Sequence, residues 1–452
     1  MKKHMIKSLC IASFVIVMSL TATAVGQAST FSPLSYGAVP PIIVVPGLGM
    51  SALHVSVYRG RGARTQFDFL VPAMNPAEIL PAKATSALGY AIGSGLPLRD
   101  ADKVHGWLAL HVGTLGQVRG SLGVTVTPVS VGRDFAAECP RYVPMADKLA
   151  SRGWVMNTNL YCLPYDYRVP PGENEFVADF RALIDRVTAA AGGAPAVVAC
   201  HSQGCLMAYH AMRVSDPTWL RGHVQLLFGF AGQFSGCSDC LRWAFQQNWS
   251  WDPADPKASP VDRSWAGELA LGLQHGVYGE HVLFRNGDAE YRARDAARLL
   301  NDAGAIAMER ATVRYALERQ TWFRRGDVAH VPLKVPSQFV YGDSLPTVVG
   351  YAFAPVPPRP RRCLSPICAG FMDETDPDLI KADGDGGDSG WMNEAPRAWT
   401  RDPSCDMRAL PGVNHIAIIT DDTALDLLAL SIGDLQAGSK PCIGGEMPGV
   451  VK

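Results

Sequence analysis

The sequence has no excess of charge of either sign and no cluster of basic residues. Its 452 residues include 41 Lys and Arg and 42 Asp and Glu, which gives a formal net charge of −1, and no long run of Lys or Arg occurs. Proteins that bind nucleic acid or an anionic surface are usually marked by a basic patch or stripe. Nucleic acid is therefore not indicated as a partner, and the charge pattern leaves the substrate and the oligomeric state open.

The sequence also lacks a spanning-length apolar segment outside its N-terminal region, since crossing a bilayer takes about 20 apolar residues. The first 28 residues resemble a secretory signal peptide: basic residues come first, an apolar run from Leu9 to about Leu20 follows, and small residues end the segment at Ala28. We expect cleavage after Ala28 or Ala24, which predicts a secreted or lumenal protein, with a lysosomal, vacuolar or periplasmic location left open. The alternative is an uncleaved anchor.

The cysteines and histidines do not show the spacing of a metal site. Cys237 and Cys240 form a lone C-x-x-C pair with no second pair of ligands at metal spacing. His54, His105 and His111 also fall at spacings that do not suit a metal. We therefore expect neither a metal nor another cofactor.

An even number of cysteines remains once the predicted signal peptide is removed. The chain has 11 cysteines, and cleavage would remove Cys10. In an oxidising compartment, disulfides are then expected. Cys200 and Cys205 lie in the predicted core and are expected to be free thiols. We expect two or more bridges among the other eight, and the pairs closest in sequence are Cys237 with Cys240 and Cys363 with Cys368.

The sequence from Ala196 to His210, AVVACHSQGCLMAYH, predicts a strand, a sharp turn and a buried helix. This is the context of a nucleophile elbow, in which a serine is held exposed between a strand and a helix, and the N–H of the next residue faces an oxyanion hole. Ser202 would be that serine and Gln203 the next residue. The usual motif is G-x-S-x-G, and Cys200 stands where its first glycine is expected. The alternative is an ordinary surface serine.

A second glycine-containing turn follows the first predicted strand. Pro41 to Val45 is a continuous apolar run, as the interior of a parallel sheet requires, and it leads directly into Pro46-Gly47-Leu48-Gly49. Glycines let a backbone pass close to a ligand, so the N–H of Leu48 is a candidate for the second oxyanion donor. A plain glycine-rich turn is the alternative.

Strands and helices alternate along most of the remaining chain. This order predicts an α/β fold with a mostly parallel, doubly wound sheet. Residues 50–135 are expected to form loops and short helices, and the break in alternation from Gly232 to about Val335 predicts an inserted cap within a domain of residues 29–452. The predicted strands are Val155–Tyr161, Val224–Phe230, Ser337–Tyr341 and Met407–Leu410, and the predicted helices are Met145–Arg152, a helix with an apolar face from Phe176 to Val187, and Asp421–Ser431.

A serine needs a histidine base and an orienting carboxylate to act as a nucleophile. An α/β-hydrolase supplies them in the chain order serine, acid, histidine, from loops after later strands. Ser202, Asp385 and His415 follow this order. Each of the two partners also has an alternative role when it is considered singly. His415 could be a structural histidine of a loop, and Asp385 could belong to a Gly-Asp turn or a cation-binding loop. Asp383 and Asp388 remain alternative acids.

Several short motifs stand in the order found in the lecithin:cholesterol acyltransferase family, which includes lysosomal phospholipases and phospholipid:diacylglycerol acyltransferases. The resemblance extends from about residue 40 to 430 as separate islands. The islands are PIIVVPGLG at 41–49, PYDYR at 164–168, HSQGC at 201–205, YG at 341–342 with LPT at 345–347, DGDG at 383–386, and HI at 415–416. The segment from Glu290 to Asp295 also resembles the family's Tyr-x-x-x-Asp segment before a helix.

The resemblance implies an α/β-hydrolase with Ser202 as nucleophile, Asp385 as acid and His415 as base, while Leu48 and Gln203 supply the oxyanion N–H groups. Two departures stand out: Cys200 replaces a glycine or alanine, and Gly387-Asp388 replaces a Thr-Val pair. Asp385 is preferred because it precedes a glycine as the family acid does. Asp166 and Arg168 of the PYDYR motif are expected to be architectural.

The implied activity is transfer of an acyl chain from a phospholipid or other glycerolipid, through an acyl-serine, to water or to an alcohol such as a sterol. The substrate would be met at a membrane or lipoprotein surface. Two alternatives remain, another α/β-hydrolase esterase or lipase and an inactive lipid-binding relative. Access to lipid is expected to involve exposed Trp249 or Trp251; alternatively, the aromatic cluster is the cap's own core, and its members are Trp243, Phe245, Trp249, Trp251 and Trp265.

Overall fold

The computed structural model of the protein describes residues 39–60, 62–71, 91–234, 236–243, 264–265, 267, 278–319, 333, 335–355, 377–390, 396 and 407–438. All of them fall in one unit, Tyr36–Lys452. The predicted signal peptide lies outside these residues, so it stays a prediction. None of the helices in these ranges is long and apolar enough to span a membrane.

Short apolar runs form a six-stranded sheet. Its strands, in order across the sheet, are β15 (Met407–Pro411), β12 (Ser337–Asp343), β9 (Val224–Phe230), β8 (Ala196–His201), β1 (Ile42–Val45) and β7 (Leu160–Cys162). Every neighbouring pair in this sheet is parallel. Its middle strands are buried along their whole length, which explains why they are continuous apolar runs without alternation. The strands of the chain are β1 (Ile42–Val45), β2 (Leu53–Tyr58), β3 (Arg64–Phe69), β4 (Leu110–Val112), β5 (Val118–Gly120), β6 (Val124–Pro128), β7 (Leu160–Cys162), β8 (Ala196–His201), β9 (Val224–Phe230), β10 (Phe284–Asn286), β11 (Ala289–Tyr291), β12 (Ser337–Asp343), β13 (Leu345–Phe353), β14 (Asp378–Gly384) and β15 (Met407–Pro411).

Helices cover both faces of this sheet. Successive residues of a strand point to opposite faces, and β1 shows this directly: Ile43 packs in one core cluster and Ile42 in another. The first cluster contains α4 and α5, and the second contains α3 and α10. The helices are α1 (Val104–Leu108), α2 (Phe135–Glu138), α3 (Val143–Ala150), α4 (Phe176–Ala190), α5 (Gln203–Arg213), α6 (Pro217–His223), α7 (Ser238–Trp243), α8 (Ala296–Asp302), α9 (Ile306–Arg319) and α10 (Asp422–Gln436). The predicted doubly wound α/β-hydrolase fold is confirmed.

The expectation of only loops and short helices over residues 50–135 is wrong. The three-stranded antiparallel sheet β3-β2-β6 and the hairpin β4-β5 lie in this region. Each strand is at most six residues long, and only β2 and β3 alternate between buried and less buried positions. Such short alternation is a weak signal, and β2 pairs both with β3, the next strand, and with β6, far along the chain.

The strand predicted at Val155–Tyr161 is shorter than expected. Val155 to Asn159 form a turn in which Asn157 has a φ of 62° and the N–H of Leu160 donates to the Val155 carbonyl. The strand begins only at Leu160. The local turn takes the backbone hydrogen bonds that a longer strand would have offered to the sheet.

A second, four-stranded sheet has the order β11-β10-β13-β14. It joins β10 and β11, which lie within the predicted cap at 232–335, to β13 and β14, which follow β12. The described residues 278–319 add α8 and α9, which share a core cluster with β10 and β13. The part of the predicted cap that the structure describes therefore packs against strands outside it, and the cap boundaries stay a prediction.

Candidate active site

Ser202 lies at a sharp turn between β8, which ends at His201, and α5, which begins at Gln203. Its φ of 54° and ψ of −129° are unusual for a residue with a side chain. Such a conformation costs energy and persists only where neighbours enforce it. The Ser202 N–H donates to the Phe230 carbonyl (3.1 Å), and the Ser202 carbonyl accepts from the Cys205 N–H (3.1 Å). The backbone is thus held in the conformation of a nucleophile elbow.

Cys200 and Cys205 form a disulfide across this elbow, so the prediction that they are free thiols is wrong. The prediction rests on the position of both cysteines in the predicted core. The reversal at Ser202 instead brings the end of β8 beside the first turn of α5, with 4.8 Å between the two Cα atoms, a separation within the range of disulfides. A cysteine in place of the usual glycine is therefore accommodated by pairing.

Two further bridges join other cysteines, as expected: Cys139 with Cys162 and Cys237 with Cys240. The Cys237–Cys240 pair is one that the sequence favours. Cys363 and Cys368 lie outside the described residues.

His415 lies in the loop after β15 and is hydrogen-bonded on both ring nitrogens. Its Nε2 lies 3.0 Å from Ser202 Oγ, and its Nδ1 lies 2.9 Å from Asp385 Oδ2. The backbone supports this placement, because the His415 N–H donates to the Asp385 carbonyl (2.8 Å). Gly387 packs against the ring: a Cβ there would lie 2.9 Å from His415 Cγ. The structure therefore brings together the three residues singled out in the sequence, in the geometry of a Ser-His-Asp triad.

The carboxylate of Asp385 is buried and held by its own loop. Its Oδ1 accepts hydrogen bonds from the N–H groups of Gly387 (2.9 Å) and Asp388 (2.6 Å). The Gly386 N–H donates to Thr347 Oγ1 (2.8 Å), so the LPT motif braces the same loop. Burial alone would raise the pKa of Asp385, but the charge and hydrogen bond of His415 and the loop N–H groups lower it overall. Asp385 is thus held as a carboxylate.

The other two candidate acids differ sharply in position. Asp388 is buried, and its Oδ2 lies 3.4 Å from His415 Nδ1. Its Oδ1 accepts from Gln233 Nε2 (3.2 Å). Asp383 is exposed on β14, opposite Pro346. The geometry therefore favours Asp385 as the hydrogen-bond partner of His415 and adds Asp388 as a second nearby charge.

These two carboxylates control the charge of His415. Burial by itself disfavours the imidazolium, but Asp385 and Asp388 outweigh burial and raise the pKa of His415 to about 9. The neutral imidazole, which is the form that accepts a proton from serine, therefore predominates only at alkaline pH.

The ligand atoms of Asp385, Asp388 and His415 lie within 4.8 Å of one another, close enough to be considered for a metal. Both ring nitrogens of His415 are already hydrogen-bonded, one to Asp385 and the other to Ser202. A metal would have to displace the Asp385 bond. The arrangement suits a base held by an acid, and the expectation that no metal is used stays a prediction.

The two candidate oxyanion residues flank Ser202. Leu48 lies in a turn in which the Met50 N–H donates to the Gly47 carbonyl (3.1 Å) and Gly49 has a φ of 71°. This turn approaches the serine closely, since a Cβ on Gly47 would lie 3.1 Å from Ser202 Cβ.

Gln203 is the first residue of α5, and the first N–H groups of a helix have no partner within it. Its side chain is fixed separately: Gln203 Oε1 accepts from the Tyr165 hydroxyl (3.0 Å), and Gln203 Nε2 donates to the Gly267 carbonyl (2.9 Å). The use of the Leu48 and Gln203 N–H groups as oxyanion donors remains a proposal.

The PYDYR motif forms a buried support beside the site. Arg168 donates to both carboxylate oxygens of Asp166, at 2.8 and 2.7 Å, and to the Leu108 carbonyl (2.8 Å). Trp265 is buried on this support, where it packs edge-on against Tyr167 and donates to the Leu108 carbonyl (3.2 Å). These contacts match an architectural role for Asp166 and Arg168 and place Trp265 in the core. The side chains of Trp243, Phe245, Trp249 and Trp251 lie outside the described residues.

Three residues that the sequence does not assign to the site are part of its surroundings. Tyr142 and His201 are buried next to Gly47, and the Gln233 N–H donates to the Ser202 carbonyl (3.2 Å). His201 is visible beside the serine, but nothing in the sequence indicates its partners. Tyr142 lies 59 positions before His201, so only the fold connects them.

The family model and the relatives found by comparison with known proteins are described as acyltransferases. A family model described as lecithin:cholesterol acyltransferase matches residues 135–245, a range that contains Ser202 and its elbow. The lysosomal phospholipase A and acyltransferase of Canis lupus familiaris is 23% identical over 299 residues, which cover 63% of this chain and 65% of the relative. Lecithin-cholesterol acyltransferase-like 1 of Oryza sativa subsp. japonica is 24% identical over 298 residues, 62% of each chain. The match thus spans less than two thirds of the length of these relatives.

Among solved structures, the Tle4-Tli4 complex matches with a TM-score of 0.47 and 9% identity over 89% of this chain and 99% of that chain. Est1E from Butyrivibrio proteoclasticus matches with a TM-score of 0.26 and 13% identity over 66% of this chain and 80% of that chain.

Proposed function

We propose that this chain, a member of the lecithin:cholesterol acyltransferase family, is a serine-dependent lipid acyl hydrolase or O-acyltransferase. The observation that carries the proposal is the continuous hydrogen-bonded series from Ser202 Oγ through His415 to the buried carboxylate of Asp385. A serine hydroxyl is a weak nucleophile unless a base takes its proton. An inactive lipid-binding protein would not need this arrangement, so the geometry favours catalysis.

The proposed reaction has two acyl transfers. Neutral His415 takes the proton of Ser202 as Oγ attacks the ester carbonyl, and the oxyanion accepts hydrogen bonds from the N–H groups of Leu48 and Gln203. The imidazolium then gives its proton to the leaving alcohol, which departs and leaves an acyl-serine. Water or an alcohol loses a proton to His415 as it attacks the acyl-serine, and the imidazolium returns that proton to Ser202 Oγ as the acyl–Oγ bond breaks. Asp385 stays ionised and holds the imidazolium throughout.

The proposed acyl donor is a phospholipid or other glycerolipid, and the acceptor is water or an alcohol such as a sterol. Support comes from the names of the relatives, which describe phospholipase A and acyltransferase activities. A membrane or lipoprotein surface would present such a donor. We further propose a secreted or lumenal location; the three disulfides suit an oxidising compartment.

Replacement of the serine tests the proposal. We expect Ser202→Ala to abolish labelling by a fluorophosphonate probe and to reduce ester hydrolysis by about a millionfold, as in another serine hydrolase where the triad acts as a unit. Labelling is measured on the purified protein, and hydrolysis on p-nitrophenyl butyrate and on phospholipid vesicles with and without a sterol. Ester turnover by Ser202→Ala at near the wild-type rate would contradict the proposal.

The choice of lipid substrates distinguishes the remaining possibilities. Phospholipid hydrolysis that gives way to sterol ester formation when sterol is present supports an acyltransferase. Turnover of short-chain esters without any turnover of phospholipid would indicate a general esterase instead. A protein that binds vesicles but does not react with the fluorophosphonate probe would be a lipid-binding relative.

A further inference from the structure

Tyr142 and His201 form a buried connection between the backbones of Gly47 and His415, two residues that both lie close to Ser202. The Gly47 N–H donates to Tyr142 Oη (2.8 Å), and Tyr142 Oη lies 2.8 Å from His201 Nδ1. On the other edge of the ring, His201 Nε2 lies 2.9 Å from the carbonyl oxygen of His415. Both side chains are almost fully buried, at 0% and 1% exposure. A chain of three hydrogen bonds therefore runs from Gly47 to His415.

The chemistry of the partners fixes the direction of each hydrogen bond. The His415 carbonyl can only accept, so the proton of neutral His201 lies on Nε2. His201 Nδ1 must then accept, and the donor is the Tyr142 hydroxyl, for which Met50 Sδ, 3.1 Å away, is the weaker acceptor. Burial, together with the nearby His415, lowers the pKa of His201 to about 3, and burial raises the pKa of Tyr142 above its ordinary value. Neither group titrates near neutral pH, so these directions persist across the working range.

The two ends of this series of hydrogen bonds lie at residues of the proposed catalytic site. Gly47 begins the turn that carries Leu48, and His415 is the proposed base. His201 is bonded covalently to Ser202. The Gly47 position leaves no space for a side chain, since a Cβ there would lie 2.9 Å from His201 Nδ1. The oxyanion turn, the nucleophile and the base are thus held to one another through two side chains, of which His201 also packs against the His415 ring, with 5.2 Å between the ring centroids.

We infer that Tyr142 and His201 are positioning residues that fix the distance between the Leu48 turn and the backbone of His415 around Ser202. This inference rests on the proposed function, because it gives a role to the same site. Displacement of catalytic groups by about 1 Å can cost about 100-fold in rate. Loss of these hydrogen bonds should therefore reduce the rate of acylation while substrate binding stays largely intact.

Tyr142→Phe tests the inference, because it keeps the ring and removes only the hydroxyl. We expect kcat for p-nitrophenyl butyrate to fall about 10- to 100-fold with KM within about threefold, and the rate of fluorophosphonate labelling to fall in parallel. Tyr291→Phe is the matched control, since it removes a hydroxyl that donates to Asp302 (3.0 Å) from another nearly buried tyrosine, which lies in the four-stranded sheet and not in the six-stranded sheet that carries Ser202. Its kcat should stay at the wild-type value.

His201 variants separate positioning from general stability. His201→Gln can place its amide NH2 where Nε2 donates to the His415 carbonyl, and its amide oxygen is then no longer at the Nδ1 position that accepts from Tyr142, whereas His201→Leu loses both hydrogen bonds. We expect His201→Gln to lose about as much activity as Tyr142→Phe, and His201→Leu to lose more. The double variant Tyr142→Phe/His201→Gln should be no slower than the slower single variant, because both changes break the same hydrogen bond. If the fold-loss in kcat of the double variant equalled the product of the two single losses, the two residues would act independently, which would contradict the inference.

A measurement on the unaltered protein completes the test. Nitrogen-15 NMR of histidine-labelled enzyme should show His201 as the Nε2–H tautomer from pH 6 to 8, with assignment from the His201→Gln spectrum. An Nδ1–H tautomer, or a Tyr142→Phe enzyme with kcat within twofold of wild type, would overturn the inference. Failure of the proposed function looks different, because the wild-type protein would then not react with the fluorophosphonate probe at all.

Discussion

At the scale of single residues, the unusual feature of the site is a histidine that faces two buried carboxylates. Asp385 Oδ2 lies 2.9 Å and Asp388 Oδ2 lies 3.4 Å from His415 Nδ1. One carboxylate is enough to orient the ring and stabilise the imidazolium. The second adds negative charge and increases the basicity of His415 beyond that requirement. The pH dependence of the reaction should therefore report the presence of Asp388.

Removal of this second charge should shift the pH profile to lower pH. A general base must be neutral to act, so kcat/KM of the wild-type enzyme should rise with pH towards about 9, the pKa of His415. Asp388→Asn removes a negative charge near the imidazolium, which lowers that pKa and moves the rising limb to lower pH. The measurement is kcat/KM for a soluble ester between pH 5 and 10. A shift of the rising limb to higher pH would show that Asp388 does not raise the pKa of His415.

Changes at the other two acids should have different results. Asp385→Asn removes the hydrogen-bonded partner of His415 Nδ1, and we expect kcat to fall by about 10⁴-fold, as in other serine hydrolases. Asp383→Asn is the matched control, because Asp383 is a nearby aspartate that is exposed on β14. Its pH profile and kcat should match those of the wild type. If Asp383→Asn lowered kcat as much as Asp385→Asn, the assignment of Asp385 as the acid would be wrong.

At the scale of elements, the elbow depends on the close approach of α5 to β1. A Cβ on Gly204 would lie 2.3 Å from the Pro46 carbonyl oxygen and 2.5 Å from that of Val45. Such distances are far below contact, and the obstacle is backbone that cannot rotate away. The glycine of the HSQG motif, Gly204, is therefore required by packing between the helix that follows the serine and the strand that leads to the Leu48 turn.

Two glycine-to-alanine changes should have effects of opposite sign. Gly204→Ala should lower the free energy of unfolding by roughly 1–3 kcal/mol through overpacking, and it should displace Ser202. Gly222 lies in α6 with open space around its Cα, so Gly222→Ala should raise the free energy of unfolding by roughly 0.4–1 kcal/mol. Urea denaturation measures both. Equal stability of the two variants would contradict the close approach of α5 to β1.

At the scale of the whole molecule, disulfides connect segments that are near and far in sequence. Cys139–Cys162 ties the end of α2 to β7 across 23 positions, and Cys200–Cys205 closes only five. All four cysteines are buried. The stabilisation expected from a bridge grows with the length of the loop that it closes, because a longer loop loses more freedom in the unfolded state.

The longer loop should therefore contribute more stability. By the chain-entropy relation, Cys139→Ala/Cys162→Ala should cost about 3 kcal/mol and Cys200→Ala/Cys205→Ala about 2 kcal/mol. The comparison is matched because each variant removes two buried sulfurs. Denaturant unfolding measures the costs, and mass spectrometry of a non-reduced digest checks the pairings. A digest in which Cys200 and Cys205 carry free thiols would contradict the bridge at the elbow.

Much of the fold is predictable from the sequence because its strongest signals are local. Buried parallel strands appear as continuous apolar runs, and the bounds predicted for β9 are those that the structure gives it. The antiparallel strands of residues 50–135 escape prediction because each is short, and because β2 pairs with the distant β6 as well as with its neighbour β3. The strand predicted at Val155 is too long because a local turn with Asn157 at positive φ replaces its first part.

The sequence by itself determined the parallel sheet, the elbow around Ser202 and the order of serine, acid and histidine, since these depend on local patterns and chain order. Tertiary structure decided which acid meets His415, because Asp383, Asp385 and Asp388 are almost equivalent in sequence and differ only in the direction that the loop gives them. It also decided that Cys200 pairs with Cys205 and that Tyr142 reaches His201. Such contacts depend on distances in space, which a linear sequence does not specify.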